Sequence, residues 1–313
     1  MQYSARINSY IKQGMSVPEA LAAIVGVDGV GYVDLNYPEH FVDGGVEAVK
    51  DALSTSGLRL NSIAVRFRSK YRAGEFTGPE TNISDEAYEL VGAGVRAARD
   101  LGSDLVTLWL GYDGYDYAFQ KDFVTATKRL VSVYQRLADE HPDMRFSIEY
   151  KPYEERVHTM IPSSGFVLYL LQCIDRPNVG ATLDFCHMIM ARDYPAHAAA
   201  LLLADGRLYG IHLNDGYGGS DDGMIVGSVH PWETLELLHW LRHGGYQAPI
   251  YFDTFPVRED AAGELRANVA ATDALLEVLD RQEPDRFQEV AESQDALQVA
   301  ALRLELLGRG GAS

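Results

Sequence analysis

The stretch YGIHLNDGYGGSDDGMIVGSVHP, residues 209–231, starts as an apolar strand and ends as a loop crowded with glycine and aspartate. His212 lies at the mouth of this strand, and Asp215, Asp221 and Asp222 follow it within ten residues. Imidazole and carboxylate groups are costly to bury unless each finds a partner. The stretch therefore indicates a strand whose carboxyl end opens into a polar site.

Short β-rich runs alternate with helical patterns along the whole chain, and glycine ends several of the helical ones, as in SDEAYELVGAGVRAARDLG over residues 84–102. Strict alternation of apolar strands with helices predicts a parallel sheet covered by helices. Eight such units in 313 residues favour a closed (β/α)8 TIM barrel, an α/β fold, over an open doubly wound sheet. Strands are predicted at Arg6–Ile11, Gly31–Asn36, Leu60–Phe67, Leu105–Gly111, Arg145–Lys151, Val179–Phe185, Leu208–Asn214 and Ile250–Phe255.

The barrel is predicted to form the catalytic domain over residues 1–280, followed by a C-terminal helical extension and tail over residues 281–313. The extension carries apolar side chains at helical spacing, which suit packing against the barrel or a neighbouring subunit. We therefore expect a homo-oligomer, either a homodimer or a homotetramer. The apolar positions are Phe287, Val290, Leu297, Ala300, Leu302 and Leu306.

Composition excludes several classes of partner. A formal net charge of −18 would repel phosphate backbones, so nucleic acid is not expected as a partner. No run approaches eighteen apolar residues and no signal-peptide pattern opens the chain, so we expect a cytoplasmic protein without a membrane partner. Cys173 and Cys186 are expected to be reduced thiols. No GxGxxG follows the first strand, which leaves nucleotide-binding folds without their usual motif.

Four consecutive strand ends carry candidate ligands. They read SIEYKP, TLDFCH, GIHLND and YFDTFP, and they place Glu149, Asp184, His212 and Asp253 at equivalent depths. A strand-end aspartate often caps the next helix, and a lone strand histidine is usually a hydrogen-bonded core residue. Together, three carboxylates directed at one volume by barrel closure would repel each other unless a cation neutralised them. The set therefore predicts a divalent metal site.

A second set of polar residues adjoins the first. Lys151 follows the strand-five glutamate by two residues and so shares its face, where it can reach a substrate oxygen or form a structural salt bridge. His187 lies just past the sixth strand. Asp221 and Asp222 lie in a glycine-relaxed loop that can fold back toward His187. These residues predict a second cation close to the first, with the choice between the two aspartates open.

Several segments resemble the xylose-isomerase-like barrel superfamily, and its L-rhamnose isomerase branch in particular. Members of that superfamily are dimetal aldose–ketose isomerases that depend on manganese, cobalt or magnesium. The chain is shorter than typical L-rhamnose isomerases, and its two loop aspartates are adjacent where that branch separates them by one residue. The resemblance is carried by SIEYKPYE (147–154), LDFCH (183–187), GIHLNDGYGGSDDGMIVGS (210–228), TLWLGYDGYDYAFQ (107–120) and the Asp253 strand end.

The resemblance implies a role for each matching residue. His187 and the Asp221/Asp222 pair would hold a catalytic metal, and Lys151 would match the catalytic lysine. We expect two ions per chain, Mn²⁺ by preference with Co²⁺ or Mg²⁺ as substitutes. The structural metal would be held by Glu149, Asp184, His212 and Asp253, with Asp184 as a candidate bridge.

These assignments predict an aldose–ketose isomerase that transfers hydrogen between C1 and C2 of a free monosaccharide: a pentose, a branched pentose or a 6-deoxyhexose. Lys151, His187 and Asp253 are the expected catalytic residues. Hydride shift and enediol transfer both remain open. Trp109, Tyr115 and Phe255 are expected to bind the sugar, although ordinary packing explains any one of them equally well. Further candidates are Tyr112 and Tyr117 for stacking and Asn36, Tyr37, Arg66 and Arg68 for specificity.

Other functions share parts of this pattern. A ketose 3-epimerase on the same barrel would use two opposed glutamates, whereas here Glu149 faces Asp253 and Lys151 is added. A metal-dependent dehydratase or lyase, including a C-glycoside-cleaving subunit, would share the four-ligand core. A non-catalytic sugar- or metal-binding barrel would need neither the lysine nor a second ligand set. A trimetal nuclease is disfavoured by the net charge and the few strand-end histidines.

Overall fold

The computed structural model describes residues 1–154, 156–283 and 285–308. Eight parallel strands close into a barrel in the order β1-β11-β10-β9-β6-β4-β3-β2, and three short antiparallel strands form a separate sheet in the order β5-β8-β7. The predicted TIM barrel is confirmed. The strands are β1 (Tyr3–Arg6), β2 (Val30–Tyr37), β3 (Arg59–Val65), β4 (Leu105–Trp109), β5 (Gly114–Tyr115), β6 (Arg145–Glu149), β7 (Tyr153–Glu154), β8 (Val157–Thr159), β9 (Val179–Asp184), β10 (Leu208–Leu213) and β11 (Ile250–Phe252).

Helices cover the outside of the barrel, and several begin at capping residues that the sequence shows. Ser16 and Glu19 form a capping box at the start of α2, and the Asp122 carboxylate accepts the Thr125 backbone N–H at the start of α5. Short 3-10 turns occupy Glu39–Phe41 and Ser69–Tyr71. The α-helices are α1 (Asn8–Lys12), α2 (Val17–Val25), α3 (Gly45–Ser56), α4 (Thr81–Asp100), α5 (Phe123–Glu140), α6 (Ser164–Ile174), α7 (Phe185–Ala191), α8 (Pro195–Ala204), α9 (Pro231–His243), α10 (Ala261–Asp280), α11 (Arg286–Ser293) and α12 (Ala296–Leu306).

Burial of both faces explains why the central strands read as nearly continuous apolar runs. Every residue of β9 and of β10 is buried, since side chains point either into the barrel or against the helices. The register places His212 beside Asp184 on β9 and beside Tyr251 on β11, and it pairs Trp109 with Glu149. The polar residues therefore end their strands at similar heights at one mouth of the barrel.

The first predicted strand was wrong. Its predicted range, Arg6–Ile11, is replaced by β1 at Tyr3–Arg6 followed by helix α1. Ile7 already has right-handed helical dihedral angles, and its carbonyl accepts the backbone N–H groups of Tyr10 and Ile11. The strand therefore begins three residues earlier than predicted, so Arg6 stands at its carboxyl end.

The C-terminal extension is helical, as predicted from its apolar spacing. Helices α11 and α12 follow α10, and Val290, Leu302 and Leu306 are buried, whereas Leu297 is 77% exposed. The division of the chain after residue 280 stays a prediction, and the tail over residues 309–313 lies outside the described residues. None of the helices in the described chain is long and apolar enough to cross a membrane.

Candidate active site

Four side chains meet at the carboxyl ends of four neighbouring barrel strands. Glu149 ends β6, Asp184 ends β9, His212 lies one residue before the end of β10, and Asp253 directly follows β11. One possible ligand atom from each of the four lies within 4.8 Å of the others. The four predicted ligands of the first metal are therefore brought to one point, with only Asp253 partly exposed.

A second group shares Asp184 with the first. Candidate ligand atoms of Asp184, His187 and Asp221 also lie within 4.8 Å of one another. The Asp184 carboxylate caps α7 by accepting the His187 backbone N–H at 3.0 Å, and this contact holds the imidazole over the barrel mouth. His187 Nε2 lies 3.2 Å from Asp221 Oδ2. Asp184 thus stands between two ligand groups.

The donors of both groups fit divalent cations. Carboxylate oxygens and imidazole nitrogens suit Mn²⁺, Mg²⁺ or Co²⁺, and neither group contains a thiolate. Two buried atoms of the second group, His187 Nδ1 and Asp221 Oδ1, have no hydrogen-bond partner among the described residues. Buried polar atoms are rarely left unpaired in proteins, so these two are accounted for best as metal-facing donors.

When no metal ion is bound, protonated imidazoles balance part of the negative charge of the acids. Burial would lower the pKa of His212, but Glu149 and Asp253 outweigh it and raise that pKa to about 10. Burial likewise opposes charge on His187, yet Asp184 and Asp221 raise its pKa to about 9. Burial would raise the pKa of Glu149, and the His212 charge overcomes this and lowers it to about 2. The negative charge of the acids therefore favours protonation of both imidazoles when no ion is bound.

Lys151 projects into the same cavity and is held by two acids. Its Nζ donates to Asp221 Oδ2 at 3.0 Å and to the Glu154 carboxylate. Only 6% of the residue is exposed. Burial would lower the lysine pKa, but Asp221 and Glu154 raise it above its ordinary value. The ammonium group therefore stays charged beside the second ligand group.

The two adjacent loop aspartates point in different directions. Asp221 contacts His187 and Lys151, whereas Asp222 Oδ2 accepts the Tyr217 backbone N–H at 2.7 Å and its Oδ1 accepts the Ser220 hydroxyl at 2.6 Å. Both carboxylate oxygens of Asp222 are thus used inside the loop. Asp221 belongs to the second ligand group and Asp222 does not, so a ligand role for Asp222 stays a prediction that these contacts do not favour.

The cavity over these groups has a volume of about 230 Å³. Of the residues predicted to touch sugar or set specificity, Trp109, Phe255, Asn36 and Arg66 line it. Tyr115 does not, because β5 pairs with β8 and stacks the Tyr115 ring on His158.

The remaining sequence candidates lie away from this cavity. Tyr112 and Tyr115 line a separate cavity of about 530 Å³, and Tyr117 is 65% exposed. Tyr37 packs on Phe41, and the Arg68 guanidinium forms an ion pair with Glu39 on the surface. Expectations of sugar contact by Tyr115 and of specificity from Arg68 are therefore not supported.

Sequence reasoning missed several residues of the site. Arg6 Nε lies 2.7 Å from Asp253 Oδ1, and Asp34, Glu154 and Tyr251 also line the cavity. A correct placement of β1 would have revealed Arg6, because it ends that strand as Glu149 ends β6. The other three carry no comparable signal, since they are ordinary polar positions within or just after predicted strands.

Asn214 and Asp215 fix the glycine-rich loop to the barrel. The Asn214 side-chain amide donates to Asp184 Oδ2 and to the Asp253 carbonyl, both at 3.0 Å. The buried Asp215 carboxylate accepts the backbone N–H groups of Val229 and His230 at the far end of the loop. The loop that carries Asp221 is therefore closed at its base, which sets where Asp221 returns to the site.

The sequence model for the family described as "Xylose isomerase-like TIM barrel" matches residues 19–282. The chain belongs to this family. Among curated proteins, this xylose isomerase-like chain is similar to the xylose isomerase of Thermus thermophilus, with 28% identity over 229 residues. The match covers 70% of this chain but only 59% of that enzyme.

Two solved structures share the fold of this xylose isomerase-like chain. The D-allulose 3-epimerase from Methylomonas sp., in complex with D-allulose, has a TM-score of 0.67 at 19% identity, covering 90% of this chain and 97% of that one. The IOLI protein with a binding zinc atom has a TM-score of 0.69 at 13% identity, covering 88% and 98%. The likeness to an L-rhamnose isomerase branch stays a prediction.

Proposed function

We propose that this protein is a divalent-metal-dependent aldose–ketose isomerase that acts on a free monosaccharide. The observation that carries the proposal is two ligand groups that share Asp184 and lie beside the charged Lys151 in one cavity. A barrel that only bound sugar would need neither the second group nor a lysine held by two acids. The similarity to a xylose isomerase over 70% of the chain agrees with it.

The residues that would hold metal follow from the two groups. Glu149, Asp184, His212 and Asp253 would hold one ion, and Asp184, His187 and Asp221 the other. Bound divalent ions would supply Lewis-acid polarisation of the oxygens on C1 and C2, the carbons between which hydrogen moves. Mn²⁺ is the proposed ion, with Co²⁺ or Mg²⁺ as substitutes, because the donors are oxygen and imidazole nitrogen.

Lys151 would stabilise negative charge that develops on a sugar oxygen. Its ammonium stays protonated because Asp221 and Glu154 raise its pKa, and it donates to both. An ammonium already oriented in a closed cavity stabilises an oxyanion without the reorganisation that water would require. Asp253, which faces the cavity, would accept the hydroxyl proton of the sugar.

Aromatic side chains and a guanidinium complete the wall of the cavity. Trp109 and Phe255 line the cavity, and the Arg6 guanidinium lies 4.7 Å from the Phe255 ring centre while pairing with Asp253. Flat apolar faces beside polar groups are typical of sugar sites, since a sugar ring presents C–H groups on one side. Trp109 and Phe255 would therefore orient the sugar and exclude water.

A ketose 3-epimerase is the second candidate. Such an enzyme removes and returns a proton at C3 with two acids, and Glu149 and Asp253 occupy one ligand group across the mouth. The fold shared with a D-allulose 3-epimerase favours this alternative. Against it, Asp253 is paired with Arg6, and an epimerase gives Lys151 no evident task.

The discriminating experiment compares metal-stripped and Mn²⁺-loaded protein on a panel of aldoses and ketoses, followed by NMR in D₂O. Conversion of aldose to ketose supports the isomerase, whereas inversion at C3 with deuterium uptake supports the epimerase. Lys151→Met should lower kcat by about 100-fold or more, as for loss of an oxyanion donor. Lys50→Met, a change on the exposed face of α3, is the matched control. Full activity of Lys151→Met would overturn the role given to that lysine.

A homo-oligomeric state and a cytoplasmic location also stay proposals. Size-exclusion chromatography with light scattering measures the first directly. A single monomeric mass across micromolar concentrations would contradict it.

A further inference from the structure

Arg66 is a cation of the active-site cavity for which the described residues supply no acidic partner. It directly follows β3, and its backbone N–H donates to the Tyr37 carbonyl at 2.8 Å, which fixes the start of the side chain. The guanidinium carbon lies 5.3 Å from the centre of the Trp109 ring. Its buried Nε has no acceptor in the described part of the chain. Arg66 is therefore oriented by stacking and backbone contacts rather than by an ion pair.

The other two fixed cations of the cavity are already engaged. Arg6 Nε lies 2.7 Å from Asp253 Oδ1, and Lys151 Nζ lies 3.0 Å from Asp221 Oδ2 and also contacts Glu154. A guanidinium has five N–H donors and no acceptor, so an unpaired one in a partly closed cavity leaves donors without partners. Unlike Arg6 and Lys151, Arg66 has no acidic partner among the described residues, so its guanidinium is left to bind a ligand.

The charge of the loaded cavity favours an anion. Under the proposed function, two divalent ions cancel the four carboxylates that hold them, and Glu154 balances Lys151. Among the described residues that line the cavity, one further carboxylate, that of Asp34, then faces the guanidinium groups of Arg6 and Arg66. Asp34 already accepts hydrogen bonds from neighbouring strands, which include one of 2.9 Å from an amide. An excess of positive charge therefore remains at the Arg66 wall.

We propose that the substrate carries a terminal anionic group, a carboxylate or a phosphate ester, and that Arg66 binds it. This inference rests on the proposed function, since it names the class of sugar that the same cavity accepts. Planar guanidinium groups recognise either anion through two parallel hydrogen bonds. In barrel order, β4 separates β3 from β6, so Arg66 enters the cavity from a strand that carries none of the ligand groups. It lies beside the Trp109 ring, which Lys151 also contacts.

The test uses one matched series: neutral hexoses, the hexuronates and the hexose 6-phosphates of gluco, galacto and manno configuration. Turnover by Mn²⁺-loaded protein gives kcat/KM for each. We expect one anionic class to exceed its neutral counterpart by about 10- to 100-fold, the range of a charge-assisted hydrogen bond. The preferred class identifies carboxylate or phosphate. Arg66→Met should remove the preference, so that kcat/KM falls by about tenfold or more further for the anionic class than for its neutral counterpart.

Arg68→Met is the matched control, because Arg68 lies two residues away, is 60% exposed and pairs with Glu39 on the surface. It should keep the preference of the unaltered protein. Equal kcat/KM for neutral and anionic sugars, or an equal loss for both in Arg66→Met, would overturn the inference.

Binding separates this inference from the proposed function. Calorimetry on loaded protein with methyl hexosides, their uronates and their 6-phosphates measures affinity for closed rings that no isomerase converts. Tighter binding of an anionic glycoside that Arg66→Met abolishes, with no turnover of any free sugar, would support the anion site and reject the isomerase. Turnover of neutral sugars without preferential binding of anionic glycosides would support the isomerase and reject the anion site.

Discussion

Asp184 caps a helix and also belongs to both ligand groups, although a strand-end aspartate by itself suggests only one of these roles. One carboxylate oxygen caps α7 through the His187 backbone, and the other accepts the Asn214 amide. Burial raises its pKa to about 7, with opposition from His187. The cap holds His187 next to Asp184, the acid with which it shares the second ligand group. The start of α7 and this ligand group are therefore one local structure. A strand-end aspartate that caps a helix is thus compatible with metal binding here.

The neighbours Asp221 and Asp222 provide a matched pair of variants. Asp221→Asn removes a candidate ligand and the ionic partner of Lys151, so we expect weaker binding of one Mn²⁺ and a kcat lower by about 100-fold or more. Asp222→Asn keeps an oxygen for the Tyr217 backbone, so both ions should bind with nearly unchanged affinity. Competition titration with Mn²⁺ measures the dissociation constants of the two ions in each variant. Equal losses in the two variants would contradict the assignment.

His40 provides a prediction of pH dependence away from the ligand groups. Its Nδ1 accepts the Asn36 backbone N–H at 2.9 Å, and burial, with Arg6 and Arg66, lowers its pKa to about 3. Because the folded pKa lies below the unfolded value, His40 stabilises the fold fully above about pH 6.5, and this contribution declines as pH falls toward 3.

Between pH 7.5 and pH 5, the His40 contribution to the free energy of unfolding should fall by about 2 kcal/mol. His40→Asn retains an acceptor near Asn36 but does not titrate. Urea unfolding at both pH values should therefore show a larger fall in the free energy of unfolding for the unaltered protein than for His40→Asn. If the free energy of unfolding fell equally with pH in the two proteins, His40 would not be buried in its neutral form.

At the scale of elements, seven of the eight strands were predictable because a buried parallel strand has to be apolar on both faces. The first was displaced because residues 3–11 alternate in a way that suits either a strand or a short helix. The path of the loop over residues 214–230 was not predictable, since the glycines permit many returns and contacts with Asp215, Asn214 and Phe255 select one. Position on a strand end therefore predicted which side chains meet at the mouth of the barrel, whereas position in the loop did not distinguish Asp221 from Asp222.

One glycine of this loop tests its importance. Gly223 has φ +58°, and a Cβ there would lie 2.4 Å from the Phe255 ring, while its carbonyl accepts the Phe255 backbone N–H at 2.7 Å. Gly223→Ala should lower the free energy of unfolding by about 2 kcal/mol and reduce kcat/KM, because Phe255 and Asp221 both move. Gly219→Ala is the control, since a Cβ there meets nothing within 4 Å. Thermal unfolding and sugar turnover measure both effects, and indistinguishable variants would contradict this role.

At the scale of the whole molecule, the first ligand group connects strands that are distant in sequence. Two members end β6 and β9, a third lies one residue before the end of β10, and the fourth follows β11, which closes the barrel against β1. An ion bound there would bind the folded chain but not the unfolded one, and Mn²⁺ at 100 times its dissociation constant should raise the free energy of unfolding by about 2.7 kcal/mol. For a domain of this size, the midpoint of thermal unfolding should rise by roughly 5 °C.

Glu149→Gln should lose most of this rise, because it removes a ligand at the centre of the group, whereas Asp222→Asn should keep it. Calorimetric scans of each variant with and without Mn²⁺ measure the difference. In the absence of ion, Glu149→Gln also removes the partner of His212, so each variant is compared with itself before and after loading. A rise that Glu149→Gln retains in full would place the stabilising ion elsewhere than the four strand ends.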